Sequence, residues 1–298
     1  MPPLLRLCRP KQWSKNLLVF AAWIFSGNLT NGEANLKVFL AFLAMCAASS
    51  ATYIFNDLAD IERDRAHPTK KNRPLAAGTV GVPLAWITAA FLVIFALGIG
   101  FWLSLWAGVI LLGYGALQGA YNLGLKHMAV IDVFAIAFGF LLRAGLGAEA
   151  IQVPISGWLM ICTGALALTL GFAKRRSEWV KQGEDRERSR ESLGEYDLMS
   201  LNMLVALSAG LALVFYGIYV VQSETAIKNP GLLLTYPFVI YGVFRYLVLS
   251  IGKNEGGEPE ELLIRDRHIL LSVVAFVLVA ALVIKTGVHV PLIESAGR

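Results

Sequence analysis

Apolar runs recur along almost the whole chain, each closed by a short polar stretch. A helix that crosses a hydrocarbon core about 30 Å thick needs about 20 apolar residues. Nine stretches meet or approach that length: 16–30, 36–56, 82–101, 104–122, 129–148, 155–173, 200–222, 232–251 and 267–287. The first is short and the fifth carries Arg143. The pattern predicts an all-α, polytopic membrane bundle of nine transmembrane helices, forming one membrane-embedded domain over residues 1–298. Abundant Gly and Ala within the spans suit close helix packing in lipid.

Composition points the same way. The chain is 56% hydrophobic and 16% charged, whereas a soluble domain carries about 25% charged residues. Cys8, Cys46 and Cys162 are widely spaced, which implies neither a disulfide framework nor a zinc site. His67, His127, His268 and His289 are equally dispersed and receive no role.

Charge then sets sidedness. Nine spans place the termini on opposite sides. One set of connections, 1–15, 57–81, 123–128, 174–199 and 252–266 with Arg267, holds most of the 26 Lys and Arg. The other side holds only Lys37, Lys228, Lys285 and Arg298, while Arg143 and Arg245 lie inside spans. The positive-inside rule puts the first set and the N-terminus in the cytosol and the C-terminus outside, as in a multi-pass plasma-membrane or inner-membrane protein. The first apolar run follows Arg6, Arg9, Lys11 and Lys15 as in a signal peptide. No convincing cleavage site follows it, so the run reads as a retained span. In so apolar a chain, a net charge of +5 points to topology and anionic substrates rather than nucleic acid.

The candidate chemistry lies where the second span meets the cytosolic side. Asn56-Asp57-x-x-Asp60-x-x-x-Asp64 puts three carboxylates at i, i+3 and i+7, one face of a continuous helix. Such acids repel one another unless a cation fills the gap. Oxygen donors without His or Cys suit Mg²⁺, or Mn²⁺ in its place. The competing reading is a solvated helix end whose acids pair with Arg63, Arg65 and Lys70. The basic turn that follows, from His67 through Lys70, Lys71 and Arg73 to Gly78, favours a metal-diphosphate site.

These residues resemble the first signature of the UbiA-type intramembrane prenyltransferases: N-D-x-x-D-x-x-x-D, then K-x-x-R-P-L-A-x-G. The resemblance covers essentially the whole chain. It implies helices around a central cavity open to the cytosolic side and the membrane, with Mg²⁺-diphosphate held by Asp57, Asp60 and Asp64. A second acidic pair found in most relatives is incomplete here: Asp132 is present, but Ile136 stands four residues later. Other stretches are similar to the branch of that family that moves 5-phosphoribose from 5-phosphoribosyl 1-diphosphate to a polyprenyl phosphate of decaprenyl type. They are 9–16 (RPKQWSKN), 125–132 (LKHMAVID), 139–144 (GFLLRA), 174–178 (KRRSE), 192–196 (SLGEY), Pro259-Glu260-Glu261 and 265–267 (RDR). A ribosylated lipid of that kind could feed cell-wall synthesis. A homo-oligomer such as a trimer is compatible with this reading.

On that resemblance, Lys70, Lys71, Arg73, Lys126, Lys174, Arg175 and Arg176 are candidates for the donor's phosphate groups, with Asn56 and Tyr121 beside them. Arg9, Lys11, Gln12, Lys15 and Asn16 are candidates for the lipid phosphate; the competing idea is a topology anchor with snorkelling stems. Asp132 is expected either to hold ribose hydroxyls or a second metal, or to cap its helix. Arg143 is expected in a structural pairing, with Glu149 as its nearest sequence candidate, and Arg245 near an anionic head group. Two alternatives remain: a prenyltransferase using prenyl diphosphate and an aromatic acceptor, and an anion transporter. The charged stretch 174–199 reads as a helical hairpin, a lid or a solvated loop.

Overall fold

The computed structural model describes residues 2–66, 70–183 and 191–287, leaving aside the side chains of Asn28, Glu191, Glu260 and Leu263. His67–Thr69 of the basic turn, residues 184–190 of the charged stretch, His289 and the C-terminal Arg298 lie outside the described residues. The fold is all-α. Seven helices among the described residues are long and apolar enough to cross a membrane: Gly32–Ala59, Val82–Leu103, Ile131–Ala150, Gly157–Gln182, Leu198–Gln222, Pro230–Gly252 and Arg267–Thr286.

The other two expected spans take different forms. Leu105–Leu123 is a helix of 19 residues, with Gln118, Tyr121 and Asn122 making its last turns more polar. The first predicted span is a 3-10 helix, Pro10–Phe20, followed by the short α-helix Ala21–Phe25 and a 3-10 turn, Asn28–Thr30. At about 2 Å per residue, a 3-10 segment reaches further than an α-helix of equal length. A short apolar run thus covers more depth, at the expense of weaker backbone hydrogen bonds.

The chain divides into two compact units. The first comprises residues 1–21, 31–123 and 142–152. In it, Asn31 starts the 32–59 helix by accepting from the amides of Glu33 and Ala34, which satisfies two donors that a helix start leaves open. Small residues on that helix (Ala44, Ala47, Ser49, Ser50, Ala51) are buried and admit the N-terminal segment. Trp13 Nε1 donates to Ser50 Oγ at 3.0 Å, and Ser50 donates in turn to the Cys8 carbonyl at 2.9 Å. The 82–103 and 105–123 helices meet at the single extended residue Ser104, whose hydroxyl accepts from the Ala107 amide and donates to Glu149. A Cβ at Gly108 would lie 2.3 Å from the Phe101 ring, so this corner closes only with glycine there. Ile87, Phe91, Ile94, Trp102, Leu105 and Trp106 of the pair are largely exposed, as lipid-facing side chains are.

The second unit comprises residues 22–30, 124–141 and 153–298. Its 157–182 and 198–222 helices pack along their lengths. One core cluster gathers Val133, Phe172, Leu193, Leu201, Tyr246, Leu249 and Ile269. Another gathers Cys162, Tyr216, Tyr219, Leu232, Ala280 and Val283. The Ile131–Ala150 helix supplies its first turns to this unit and its last turns to the first.

Candidate active site

The acidic stretch does not continue as one helix. The 32–59 helix ends at Ala59, Asp60 occupies the break (φ −102°, ψ 11°), and a new helix, Ile61–Ala66, begins. This departs from the expected i, i+3, i+7 face. Asp57 and Asp64 turn inward and are 2% and 3% exposed, whereas Asp60 remains partly exposed with Arg63 at 3.9 Å.

Two arginines from distant positions compensate the buried acids. Arg73 Nη1 lies 3.0 Å from Asp57 Oδ1 and 2.6 Å from Asp64 Oδ2. Arg9 donates to the same Asp57 oxygen and lies over the Tyr53 ring, 5.0 Å from its centroid. Arg9 holds a left-handed backbone (φ 51°) directly before Pro10, an uncommon conformation for a residue with a side chain. Leu7, Ile54, Leu75, Val80, Ala85 and Ala89 form the apolar floor of this region. Among the described residues no three His, Cys, Asp or Glu converge as a metal cluster. Asp57 and Asp64 nevertheless share one cation, the Arg73 nitrogen. Two hard carboxylates spaced for a single cation fit Mg²⁺, which takes a few carboxylates and leaves its other positions to water or phosphate oxygens.

The expected lipid-phosphate residues separate. Lys11 is exposed, and Gln12 and Lys15 are half-buried. Asn16 is fully buried: its amide donates to Ser49 Oγ at 3.1 Å and Cys46 Sγ at 3.3 Å, and its Oδ1 accepts from Arg143 Nε at 2.8 Å. Asn16 therefore faces inward and organises a polar network. Arg143 also donates to the Tyr114 hydroxyl at 2.9 Å and lies over that ring. The carboxylate of Glu149 accepts from Ser104 and Gln152.

Within the second unit, Asp132 in the first turn of its helix is fully buried, and its Oδ2 lies 2.7 Å from Arg175 Nε. Glu178, one turn beyond Arg175, takes the other side of that guanidinium. A Cβ at Gly171 would fall 2.5 Å from Val133, and that close crossing brings Asp132 to Arg175. Val130, just before the helix, has φ 68°, a strained value for a β-branched residue. Its amide donates to the Tyr196 hydroxyl. Burial pushes the Tyr196 phenol up to about 12, so it stays a neutral acceptor at ordinary pH. Both helix placement and ion pairing thus apply to Asp132.

Arg176 points elsewhere. It donates to the Ser250 and Ile251 carbonyls and to Asn202 and Asn254, closing the end of the 230–252 helix. Arg176 is thereby built into a helix terminus. Arg245 pairs with Asp266 at 2.7 Å. Lys70 is exposed, and Tyr121, Lys126, Lys174 and Asn56 are half-buried. Sequence reasoning missed Tyr53 and Glu178. The signals available for Glu178 were its place in the 174–178 stretch and its position three residues after Arg175.

Asp57, near the end of a helix long and apolar enough to cross a membrane, and Asp64, on the short helix after it, form a buried carboxylate pair held by arginines in an integral membrane protein. The chain belongs to the UbiA prenyltransferase family, whose pattern matches residues 17–262. It is 35% identical over 287 residues to the decaprenyl-phosphate phosphoribosyltransferase of Mycolicibacterium smegmatis, covering 92% of this chain and 90% of that one. To the enzyme of the same name from Corynebacterium glutamicum it is 32% identical, covering 92% and 84%. Its fold is that of a UbiA homologue from Archaeoglobus fulgidus solved with GPP and Mg²⁺, with a TM-score of 0.73 at 17% identity, covering 95% of this chain and 100% of that one.

Proposed function

We propose that this protein transfers 5-phosphoribose from 5-phosphoribosyl 1-diphosphate to a polyprenyl phosphate, releasing pyrophosphate. The observation that carries this reading is the likeness, along nearly the full chain, to enzymes named for that transfer. The single match across residues 17–262 supports one transferase domain, and the Lys/Arg bias of the loops supports a cytosol-facing site.

Asp57 and Asp64, with Asp60 at the helix break, are the residues that would hold Mg²⁺. When bound, the ion neutralises charge on the departing pyrophosphate. Arg9 and Arg73 already stand at these acids and can donate to phosphate oxygens. The bond from C1 to the diphosphate oxygen breaks, and a bond from C1 to an oxygen of the lipid phosphate forms. Attack from the opposite face inverts C1. The acceptor is already anionic, so no strong general base is required. Lys15 and Lys11, on the segment stitched to the 32–59 helix, are the proposed contacts for its phosphate.

The test is direct. Purified protein is incubated with labelled 5-phosphoribosyl diphosphate, polyprenyl phosphate and Mg²⁺, and the lipid fraction is analysed. Labelled lipid plus pyrophosphate is expected, and Asp57→Asn should lower the rate by at least about a hundredfold, the scale of losing a charge-stabilising group. Turnover of prenyl diphosphate with an aromatic acceptor, and none here, would refute the assignment.

A further inference from the structure

Two carboxylates as buried as Asp57 and Asp64 need compensating charge. In this protein the chain supplies it. Arg73 and Arg9 bring two positive charges to the two buried negative ones, so the buried pair is balanced without any ligand, while Asp60 stands partly exposed beside Arg63. A single nitrogen of Arg73 touches both acids, at 3.0 Å and 2.6 Å, the position from which a shared divalent ion would reach the same two oxygens. A guanidinium has no lone pair to offer a metal and repels it.

We propose that Arg73 is a resident counter-cation that keeps the metal position closed until the donor arrives, so that metal and diphosphate enter together. The proposal rests on the phosphoribosyl-transfer reading and concerns how that site fills. The charge balance drives it. A divalent ion alone would add two positive charges to a balanced, poorly hydrated pair. Together with a diphosphate the addition is no longer cationic, and the phosphate oxygens give Arg73 and Arg9 new acceptors. Both arginine side chains are about a quarter exposed, at 26% and 25%, so each retains a path away from the acids. The backbone around Arg73 is tied independently: its amide donates to the Lys70 carbonyl, and its carbonyl accepts from Ala77. The side chain can therefore change partners while the turn stays in place.

The experiment measures binding of Mn²⁺ alone, by electron paramagnetic resonance, to the full-length protein in detergent. Wild type should bind it weakly. Arg73→Gln should bind it about tenfold tighter or more, since a competing unit charge a few ångströms away is gone. Arg9→Gln, which frees only Asp57, should gain less. Without metal, Arg73→Gln should melt below wild type and recover selectively on adding Mn²⁺, a rescue that a merely structural role would not give. Labelled pyrophosphate should be retained by wild type only when Mn²⁺ is present, and less well by Arg73→Gln. If Arg73→Gln does not fold, the Arg9→Gln gain decides. Mn²⁺ affinity unchanged or weaker in the folded arginine variants overturns the proposal. An Asp57→Asn control separates the two ideas. If it abolishes Mn²⁺ binding while the arginine variants show no gain, only the counter-cation falls. If it leaves Mn²⁺ binding intact, the metal assignment to these acids falls as well.

Discussion

At the scale of the residue, the interior of this protein is organised by arginines. Arg143 is 5% exposed, in a helix long and apolar enough to span a membrane. A charge at that depth costs about 2.5–3.5 kcal/mol on insertion scales. Here it is met by neutral groups, the Asn16 carbonyl oxygen and the Tyr114 hydroxyl and ring. Asn16→Leu removes one acceptor from Arg143 and two donors from Ser49 and Cys46. It should destabilise the protein by about 1–3 kcal/mol, the range for leaving a buried polar group unpaired. Thermal stability of the purified variant measures this. A melting temperature equal to wild type would show that the network adds nothing. Asn16 was legible as a polar residue in an apolar run. Its inward direction was not, because the partner that fixes it is 127 residues away.

At the scale of the element, glycine positions decide which helices can touch. A Cβ at Gly147 would fall 1.8 Å from the Val19 carbonyl oxygen, whereas one at Gly145 meets nothing nearer than Ile110 at 4.0 Å. Gly147→Ala should therefore reduce folded yield and melting temperature, and Gly145→Ala should leave both near wild type. Equal tolerance would show that the 10–20 segment is not seated where described. A second element-scale feature is the start of the 267–286 helix. Asp266 accepts from the His268 and Ile269 amides and pairs with Arg245. The hydrogen bond from Arg245 is the main cause holding its carboxyl down at about 2. Its folded value lies below its unfolded value, so its stabilising contribution is present above about pH 4 and is lost as pH falls toward 2. The stability gap between wild type and Asp266→Asn should shrink across that window. A gap independent of pH from 5 to 2 would contradict the assignment.

At the scale of the whole molecule, the proposed cytosolic site makes a prediction about access. With Cys8, Cys46 and Cys162 replaced, single cysteines at the exposed positions Lys70 and Lys228 should label from opposite sides of the membrane. An impermeant thiol reagent added to intact cells should modify the Lys228→Cys protein and spare Lys70→Cys. The reverse result would invert the topology. Among the described residues, seven spans are recognisable at full length and hydropathy. The 16–30 stretch differs because its backbone runs as a 3-10 helix to Phe20 and then as a short α-helix and a 3-10 turn, a choice that hydropathy does not encode.

The sequence by itself determined the membrane class, the helical spans and the acidic stretch after Asn56, because these depend on local composition and spacing. It also carried the family, through motifs contiguous along the chain. Only the tertiary structure decided which charges meet. Asp64, on the short helix after the break at Asp60, is buried as Asp57 is, and Arg73 came to both acids and Arg9 to Asp57 alone, from 9 to 48 residues away. Asp132 found Arg175, with Glu178 on its far side, through the close crossing at Gly171, and Arg176 met the carbonyls at a helix end. The reason is physical. A charge leaving water must be compensated by whatever packing brings near it, and that depends on distances in space which sequence separation does not record.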